Sequence, residues 1–352
     1  MTLNSIEAMI QGLLTTEAPA FTNEAAKRIA LQHYGVRTQR AGLLVSERDQ
    51  NFRLDADDER RYALKFSNGA EREQVVDFQN RALMHIAVTD PELPVPRVIP
   101  ALDGALHATA AYRGTAHLVR LFGWVEGRVL GEAADAGLAA RLGRLLARLG
   151  LALKGFEHPG SDSSSLWDMK RAPGLRQLLP HVARPELNAA IGAVLDRFDT
   201  NVAPVIARLR SQVIYGDMNL DNVLVEVGDP RRISGLIDFG DLVKSPLVMD
   251  PAIAAAYQLS PGDDPLAGAL PLIAAYHEVR PLQAGERSLI GDLVKTRLAT
   301  SILIGSYRAS LFPGNRDYLL TSFSSASNAL LALDRQAPPD ISRRIEQACT
   351  GG

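Results

Sequence analysis

Asp217, Asn222 and Asp238 stand at the ends of two short apolar runs, 223–225 and 233–237, on either side of the turn Gly228-Asp229-Pro230. Such runs joined by such a turn read as a β-hairpin, and folding it back brings the three oxygen-bearing side chains to one end. One carboxylate and one amide suit a hard cation that keeps most of its water and phosphate oxygens, as magnesium does when it arrives on a nucleotide. A further carboxylate serves as base for a hydroxyl proton. The chemistry on offer is phosphoryl transfer to an alcohol. Asp and Asn at strand ends are also ordinary turn formers. Here Asp217 precedes Asn222 by five positions and Asp238-Phe239-Gly240 ends the next strand. Two half-motifs at that spacing and in that order favour the catalytic reading.

The elements that must position these groups have two textures. Residues 6–14 and 25–34 show helical spacing, the second capped by Thr22 or Asn23 and closed by Gly35. Short alternating runs at 40–45, 51–56 and 61–67 predict strands, and 69–88 predicts a helix. Residues 96–101 and 105–112 predict a hairpin about Asp103-Gly104. A strand at 116–122 then leads into a glycine-bounded crossover, 123–127. From Gly131 the chain is expected to be helical apart from the catalytic hairpin. Leu138, Leu142, Leu145, Leu146 and Leu149 mark one helix face, and further helices are predicted at 184–209, 251–259, 266–277, 285–310 and 315–333. The expected class is α+β, with a helical extension at 1–35, a sheet domain at 36–125 and a helical domain at 126–352.

Lys65 lies inside the third predicted strand. A lone strand lysine snorkels to water, but a strand lysine followed by a helix, then Asp-Asn and Asp-Phe-Gly, follows the order of the protein-kinase-like fold. There the lysine touches the α- and β-phosphates and pairs with a glutamate on the next helix. Lys65 is therefore the expected phosphate ligand. Gln79 occupies the glutamate's slot, with Glu71 and Glu73 a helical turn or two earlier. The loop 46–51, where a glycine-rich flap would lie, contains no glycine; Ser46 and Asn51 are the donors that would take its place. Arg120, Leu121 and Phe122 end the strand before the crossover and are expected along the nucleotide.

Composition bounds the rest. A chain of 352 residues, 46% apolar, exceeds what one core usually serves. A net charge of −2 gives no case for nucleic acid or an anionic membrane as partner. The single cysteine, Cys349, excludes an intramolecular disulfide, and the seven histidines lack metal-ligand spacing. The start lacks a signal-peptide pattern, no apolar run is long enough to span a bilayer, and the expected compartment is the cytoplasm. The oligomeric state has no signature here.

Tyr215-Gly-Asp-Met-Asn-Leu-Asp-Asn with Ile237-Asp-Phe-Gly-Asp resembles the aminoglycoside and choline phosphotransferase superfamily, in which Tyr215 stands where the usual opening has histidine. The resemblance covers about residues 36–335. Within it, Asp49-Gln-Asn-Phe, Tyr62-Ala-Leu-Lys-Phe-Ser-Asn, Val119-Arg-Leu-Phe, Val125-Glu-Gly-Arg, Ser234-Gly-Leu-Ile-Asp-Phe-Gly-Asp and Pro313-Gly-Asn-Arg-Asp-Tyr-Leu are similar to the hydroxylysine kinase family, as is Gln79-Asn80. The resemblance implies a two-lobe protein-kinase-like fold, GTP or ATP as donor, Mg2+, and a hydroxylated amino acid as acceptor, 5-hydroxylysine first. The alternatives are an aminoglycoside-type antibiotic, another amino alcohol or homoserine. Joint retention of Lys65, Asp217, Asn222 and Asp238 argues against a nucleotide-binding module without turnover. In these roles Asp217 is the base and Asn222 and Asp238 are the metal ligands. For the acceptor, Asp221 and Asp241 flank the motifs and attract ammonium groups, Trp167 forms a wall and Asp168 a second ammonium contact. Arg297 or Tyr307 would hold a carboxylate.

Overall fold

The computed structural model describes residues 16–46, 48–131, 135–162, 165–312, 314, 320 and 323–351. They form two compact units. One runs to Glu126 and takes in the segment beginning at His158; the other is Gly127–Glu157 with the rest of the chain.

The first unit is an antiparallel sheet with two helices, α1 (Asn23–Tyr34) and α2 (Glu73–Thr89). Its strands are β1 (Thr38–Leu44), β2 (Gln50–Ala56), β3 (Arg61–Phe66), β4 (Val98–Ile99), β5 (Ala108–Tyr112) and β6 (Thr115–Gly123), in the order β1-β2-β3-β6-β4, with β5 also on β6. Period-two alternation buries Phe52 and Leu54 of β2 and Tyr62, Leu64 and Phe66 of β3 on one face, and α1 closes that core with Ala26, Ile29, Ala30 and Tyr34. The helix starts and stops where its sequence says. Thr22 accepts from the Ala25 N–H, and Gly35 ends the helix at φ +68°.

The hairpin expected about Asp103-Gly104 is not there, because β4 and β5 each pair with β6. The tight connection is Arg113-Gly114, between β5 and β6, with both residues at positive φ. Asp103-Gly104 closes a turn without strands on either side, the Gly104 N–H donating to the Ala101 carbonyl.

The second unit carries β7 (Arg128–Val129), α3 (Ala136–Ala152), a 3-10 segment at Met169–His181, α4 (Pro185–Arg197), β8 (Ser211–Ile214), β9 (Val223–Val225), β10 (Ile233–Leu236) and β11 (Val243–Pro246). It continues with α5 (Met249–Ala256), α6 (Leu266–Val279), α7 (Ala284–Arg287), α8 (Ile290–Leu311), α9 (Phe323–Asp334) and α10 (Pro338–Thr350). The predicted hairpin is β9–β10, with a register shift between Ile233 and Gly235. The sequence led to the expectation of this hairpin alone, but β7 adds a third strand to it, and β8 pairs with β11 in a second small sheet. The helix expected over 184–209 stops at Arg197 and continues as a π turn and a 3-10 turn, since Pro204 cannot carry an α-helix onward. Pro173 and Pro180 likewise keep 169–181 in tight 3-10 winding. The similarity motif at 313–319, Gly314 apart, and the helix expected at 6–14 lie outside the described residues. No described helix is long and apolar enough to cross a membrane.

The leucine stripe of α3 is buried as its spacing predicts, and close approach of α6 depends on Gly143, where a Cβ would lie 2.2 Å from the Leu272 carbonyl oxygen. Gly143→Ala is therefore expected to cost about 1–3 kcal/mol by overpacking. Gly192→Ala on α4, with nothing within 4 Å of the added carbon, should be neutral or stabilising by up to about 1 kcal/mol. Urea denaturation of both variants checks the contrast.

Candidate active site

β8 runs into Tyr215-Gly216-Asp217, and the turn to Asp217 requires a glycine. Gly216 has φ +78°, and a Cβ there would lie 3.0 Å from the Asp241 carbonyl oxygen. The backbone N–H groups of Tyr215 and Gly216 donate to the Asp250 carboxylate at 3.3 and 2.9 Å. Asp250 is buried at the start of α5, and burial lifts its acid to about 6 despite those two bonds. Sequence reasoning missed this residue; the signal was a carboxylate beginning an otherwise apolar helix.

Asp217 is held from three directions. Asn222 Nδ2 donates to Oδ2 at 2.7 Å, Asn219 Nδ2 to Oδ2 at 3.0 Å, and Arg297 Nη2 to Oδ1 at 3.0 Å. Asn219, also missed from sequence, accepts the N–H groups of Asp221 and Asn222 on its Oδ1, so it shapes the loop and orients the Asp217 carboxylate together. Burial and then the Asp241 carboxylate push the Asp217 acid well above the usual carboxylate range, while Arg297 favours its anion. Asn222 directs its amide hydrogens to the Asp217 carbonyl and carboxylate, which turns its own Oδ1 away from that contact and makes it the atom left for a metal.

Asp238 adopts φ +54°, a left-handed conformation uncommon for a residue with a Cβ but tolerated by Asp. Its Oδ1 accepts the Gly240 N–H at 3.0 Å. Tyr215, in the position where the resembling families have histidine, is fully buried. Its phenol donates to the Ile237 carbonyl and its ring meets Phe239 edge-on at 5.0 Å. Burial holds that phenol well above its ordinary value, so it stays a donor and ties the two half-motifs together. A carboxylate and an amide oxygen with few other ligands fit a divalent ion carried by phosphates. Among the described residues no cluster of three or more His, Cys, Asp or Glu could hold an ion unaided.

The residues expected on the acceptor side separate. Arg297, 2% exposed, bonds both Asp217 and the Tyr257 hydroxyl (2.9 Å) through Nη2, and its guanidinium lies over Trp167 at 4.8 Å and over Tyr257 at 5.5 Å. Its Nε and Nη1 are buried without a hydrogen-bond partner. Asp241 accepts from Ser165 Oγ at 3.2 Å, close enough to Asp217 to act on its charge. Asp221 is exposed beside Asn222. Asp168 is buried and engaged by Ser245 Oγ, the Lys170 N–H and the Lys170 ammonium, so it serves as a cap rather than a free ammonium contact. Tyr307 packs against His181 at 4.9 Å, about 15 Å along α8 from Arg297 at the usual helical rise.

In the first unit, the Lys65 ammonium contacts Asp49 Oδ2 at 2.9 Å. Gln79 accepts from Arg120 Nη1 at 2.7 Å. Ser46 donates its hydroxyl to the Asp49 carbonyl at 2.6 Å, and Asn51 stands directly across from Lys65 in the β2–β3 register. Leu121 and Phe122 are buried in the sheet, and the N–H groups of Gly123 and Trp124 are taken by the Arg97 and Arg61 carbonyls.

In the one unit an antiparallel sheet of this order with a lysine on its third strand, and in the other Asp217, Asn222 and Asp238 about a β-hairpin, fit a phosphotransferase of the protein-kinase-like class. The sequence pattern of the phosphotransferase enzyme family matches residues 43–285, and the chain belongs to that family. The chain is 27% identical to the hydroxylysine kinase of Mus musculus, over 86% of each chain. In fold it is similar to a microcompartment-associated aminopropanol kinase (TM-score 0.62, 19% identity, 86% of this chain and 98% of that one). It is also similar to an amicoumacin kinase solved in complex with AMP-PNP, Ca2+ and Ami (TM-score 0.64, 13% identity, 85% and 93%).

Burial opposes the charge on Asp49, but Lys65 and then Arg48 outweigh it and hold the acid down at about 2, below its ordinary 3.8. A carboxyl depressed in the folded state stabilises fully above its unfolded pKa, and that contribution disappears as pH falls through the folded value. The stability advantage of the wild type over Asp49→Asn is expected to be about 2 kcal/mol near neutral pH and to vanish between about pH 4 and pH 2. Chemical denaturation across that window checks it.

Proposed function

We propose that this chain is a small-molecule kinase of the cytoplasm that transfers the γ-phosphoryl group of GTP or ATP, with Mg2+, to the hydroxyl of a hydroxylated amino acid, 5-hydroxylysine in first place. The observation that carries the acceptor class is Arg297. It touches the base with Nη2 and keeps Nε and Nη1 without a protein partner in a buried aromatic frame, which suits an acceptor carboxylate beside the reacting hydroxyl. The similarity to hydroxylysine kinases, 24–27% over most of the chain, supports the same class.

Asp217 receives the hydroxyl proton, and its hydrogen bonds to Asn219, Asn222 and Arg297 fix the direction from which it does so. Asn222 Oδ1 and the Asp238 carboxylate would hold the metal. When bound, the ion neutralises charge on the phosphates. Nη2 belongs to both fork edges of a guanidinium and is already occupied, so an acceptor carboxylate meets Nε or Nη1 singly rather than across a two-pronged edge. Asp241, near the base, is placed for the acceptor's ammonium.

A coupled assay of nucleotide consumption tests the acceptor against 5-hydroxylysine, homoserine, amino alcohols and aminoglycosides. The hydroxy amino acid is expected to be turned over best. A decarboxylated analogue consumed equally well, or an aminoglycoside far better, overturns the acceptor while leaving the kinase. Asp217→Asn should lower turnover by about 10²–10⁴-fold with nucleotide affinity nearly intact, and near-normal turnover would remove the base assignment. Arg297→Lys should weaken both turnover and acceptor affinity but spare nucleotide binding, because a lysine cannot serve base and acceptor from one planar group.

A further inference from the structure

The helix that carries Arg297 buries a second cation on its other side. Lys295 and Arg297 stand two positions apart on α8, about 200° round the helix axis, and Arg297 is engaged with Asp217 and Tyr257. Lys295 is only 5% exposed. Its nearest described carboxylate, Asp334 at the end of α9, lies 3.8 Å from the ammonium, beyond hydrogen-bond length. Buried ammonium groups are as a rule paired and hydrogen-bonded. Burial pushes the Lys295 ammonium below its ordinary value, and the Asp334 charge offsets only part of that.

Lys295 lines a cavity of about 230 Å³ between the end of α4, the start of α8 and the start of α10. That volume exceeds what one water needs and falls short of a site for a drug-sized ligand. The other charged groups on its wall are matched to one another. Arg197 donates to Oδ1 and Oδ2 of Asp292 at 2.9 and 3.0 Å, and Asn201 Nδ2 adds a bond to Oδ2 at 3.1 Å. Lys295 is thus the lining cation without a hydrogen-bonded counterion among the described residues. The first turn of α8 shares the wall, and Leu289 before it supplies no side-chain cap. The first N–H groups of a helix have no partner within it and favour negative charge. Ser288 and Ser342 bring hydroxyls to the same cavity. Ammonium, hydroxyls and helix N–H groups all donate, so the complementary ligand is rich in acceptors and negatively charged.

The geometry points to a binding site for a small oxyanion, a carboxylate or a phosphate, on the side of α8 away from Asp217, with the Lys295 ammonium as its anchor. The site is separate from the catalytic groups, and its occupant is a ligand other than the acceptor.

Calorimetric titration of the full chain with inorganic phosphate and, separately, with succinate tests it. Saturable binding of at least one of the two is expected, and which one binds tells phosphate from carboxylate. Lys295→Met keeps the length of the side chain and removes its charge, and should weaken binding by about tenfold or more, the scale of a hydrogen bond to a charged group. Asp334→Asn removes the competing carboxylate from a position 44% exposed and should tighten binding, by up to about fivefold, the scale of a part-exposed ion pair. Lys65→Ala and Arg297→Lys should leave the anion's affinity unchanged. Binding lost in either of those two and intact in Lys295→Met puts the anion at the catalytic groups and overturns the proposal. Absence of saturable binding of both anions overturns it as well, as does an Asp334→Asn chain that binds no more tightly than the wild type. Should Lys295→Met fail to unfold cooperatively on heating, the direction of the change in Asp334→Asn decides alone.

Discussion

Burying the Asp217 carboxylate is the constraint on which the second unit is built. The group is 15% exposed, with Asp241 and Asp238 near enough to disfavour its ionisation, and burying a charge without compensation is among the most expensive things a protein can do. Three hydrogen bonds offset part of that cost, one of them from a buried guanidinium 80 residues further along the chain. The same three donors also fix the direction in which the carboxylate faces.

The surrounding fold follows from that requirement. The backbone entering Asp217 is pinned by Asp250 on α5, and the strand end carrying Asp238 is pinned by the Tyr215 phenol. Arg297 can sit in the interior because Trp167 and Tyr257 offer it aromatic faces, on which a flat, weakly hydrated guanidinium stacks at less desolvation cost than a compact, strongly hydrated ammonium. The long helix α8 exists in sequence as a weakly amphipathic run with buried Thr296, Arg297, Thr300 and Arg308. Its polar interior face is the mark of a helix that serves a site rather than one that merely fills a core.

How much of this the residues announce depends on the distance over which each contact is made. Asp217, Asn222 and Asp238 were legible because strand ends and fixed spacing place them by local geometry alone. Tyr34, Gly35 and Thr22 were legible for the same reason, as parts of one helix and its caps. The contact between Arg297 and Asp217 joins distant segments, so sequence assigned Arg297 to the acceptor and left its hold on the base unseen. Asp250 and Asn219 were hidden because a carboxylate or amide of that kind has many ordinary uses. β7, β8 and β11 run for two to four residues, too short for alternation to register. The Asp103-Gly104 hairpin failed through pairing: its flanking segments found a better partner in β6, and Arg113-Gly114 took the tight turn.

The glutamine on α2 illustrates how a missing residue is read once its neighbours are known. From sequence, Gln79 looks like a lost partner for Lys65. In the folded unit it faces Arg120, whose guanidinium needs an acceptor at a site where 4% exposure leaves little water. A glutamate there would neutralise Arg120 and add a negative charge beside the strand lysine; the neutral amide satisfies a guanidinium hydrogen and leaves both cations charged. Lys65 for its part meets Asp49, in the loop before β2, at 2.9 Å. That loop is tied to the residues after β3 by the Asn68 N–H and closed on itself by the Ser46 hydroxyl, so the strand lysine and a carboxylate that meets it are held by one hydrogen-bonded frame.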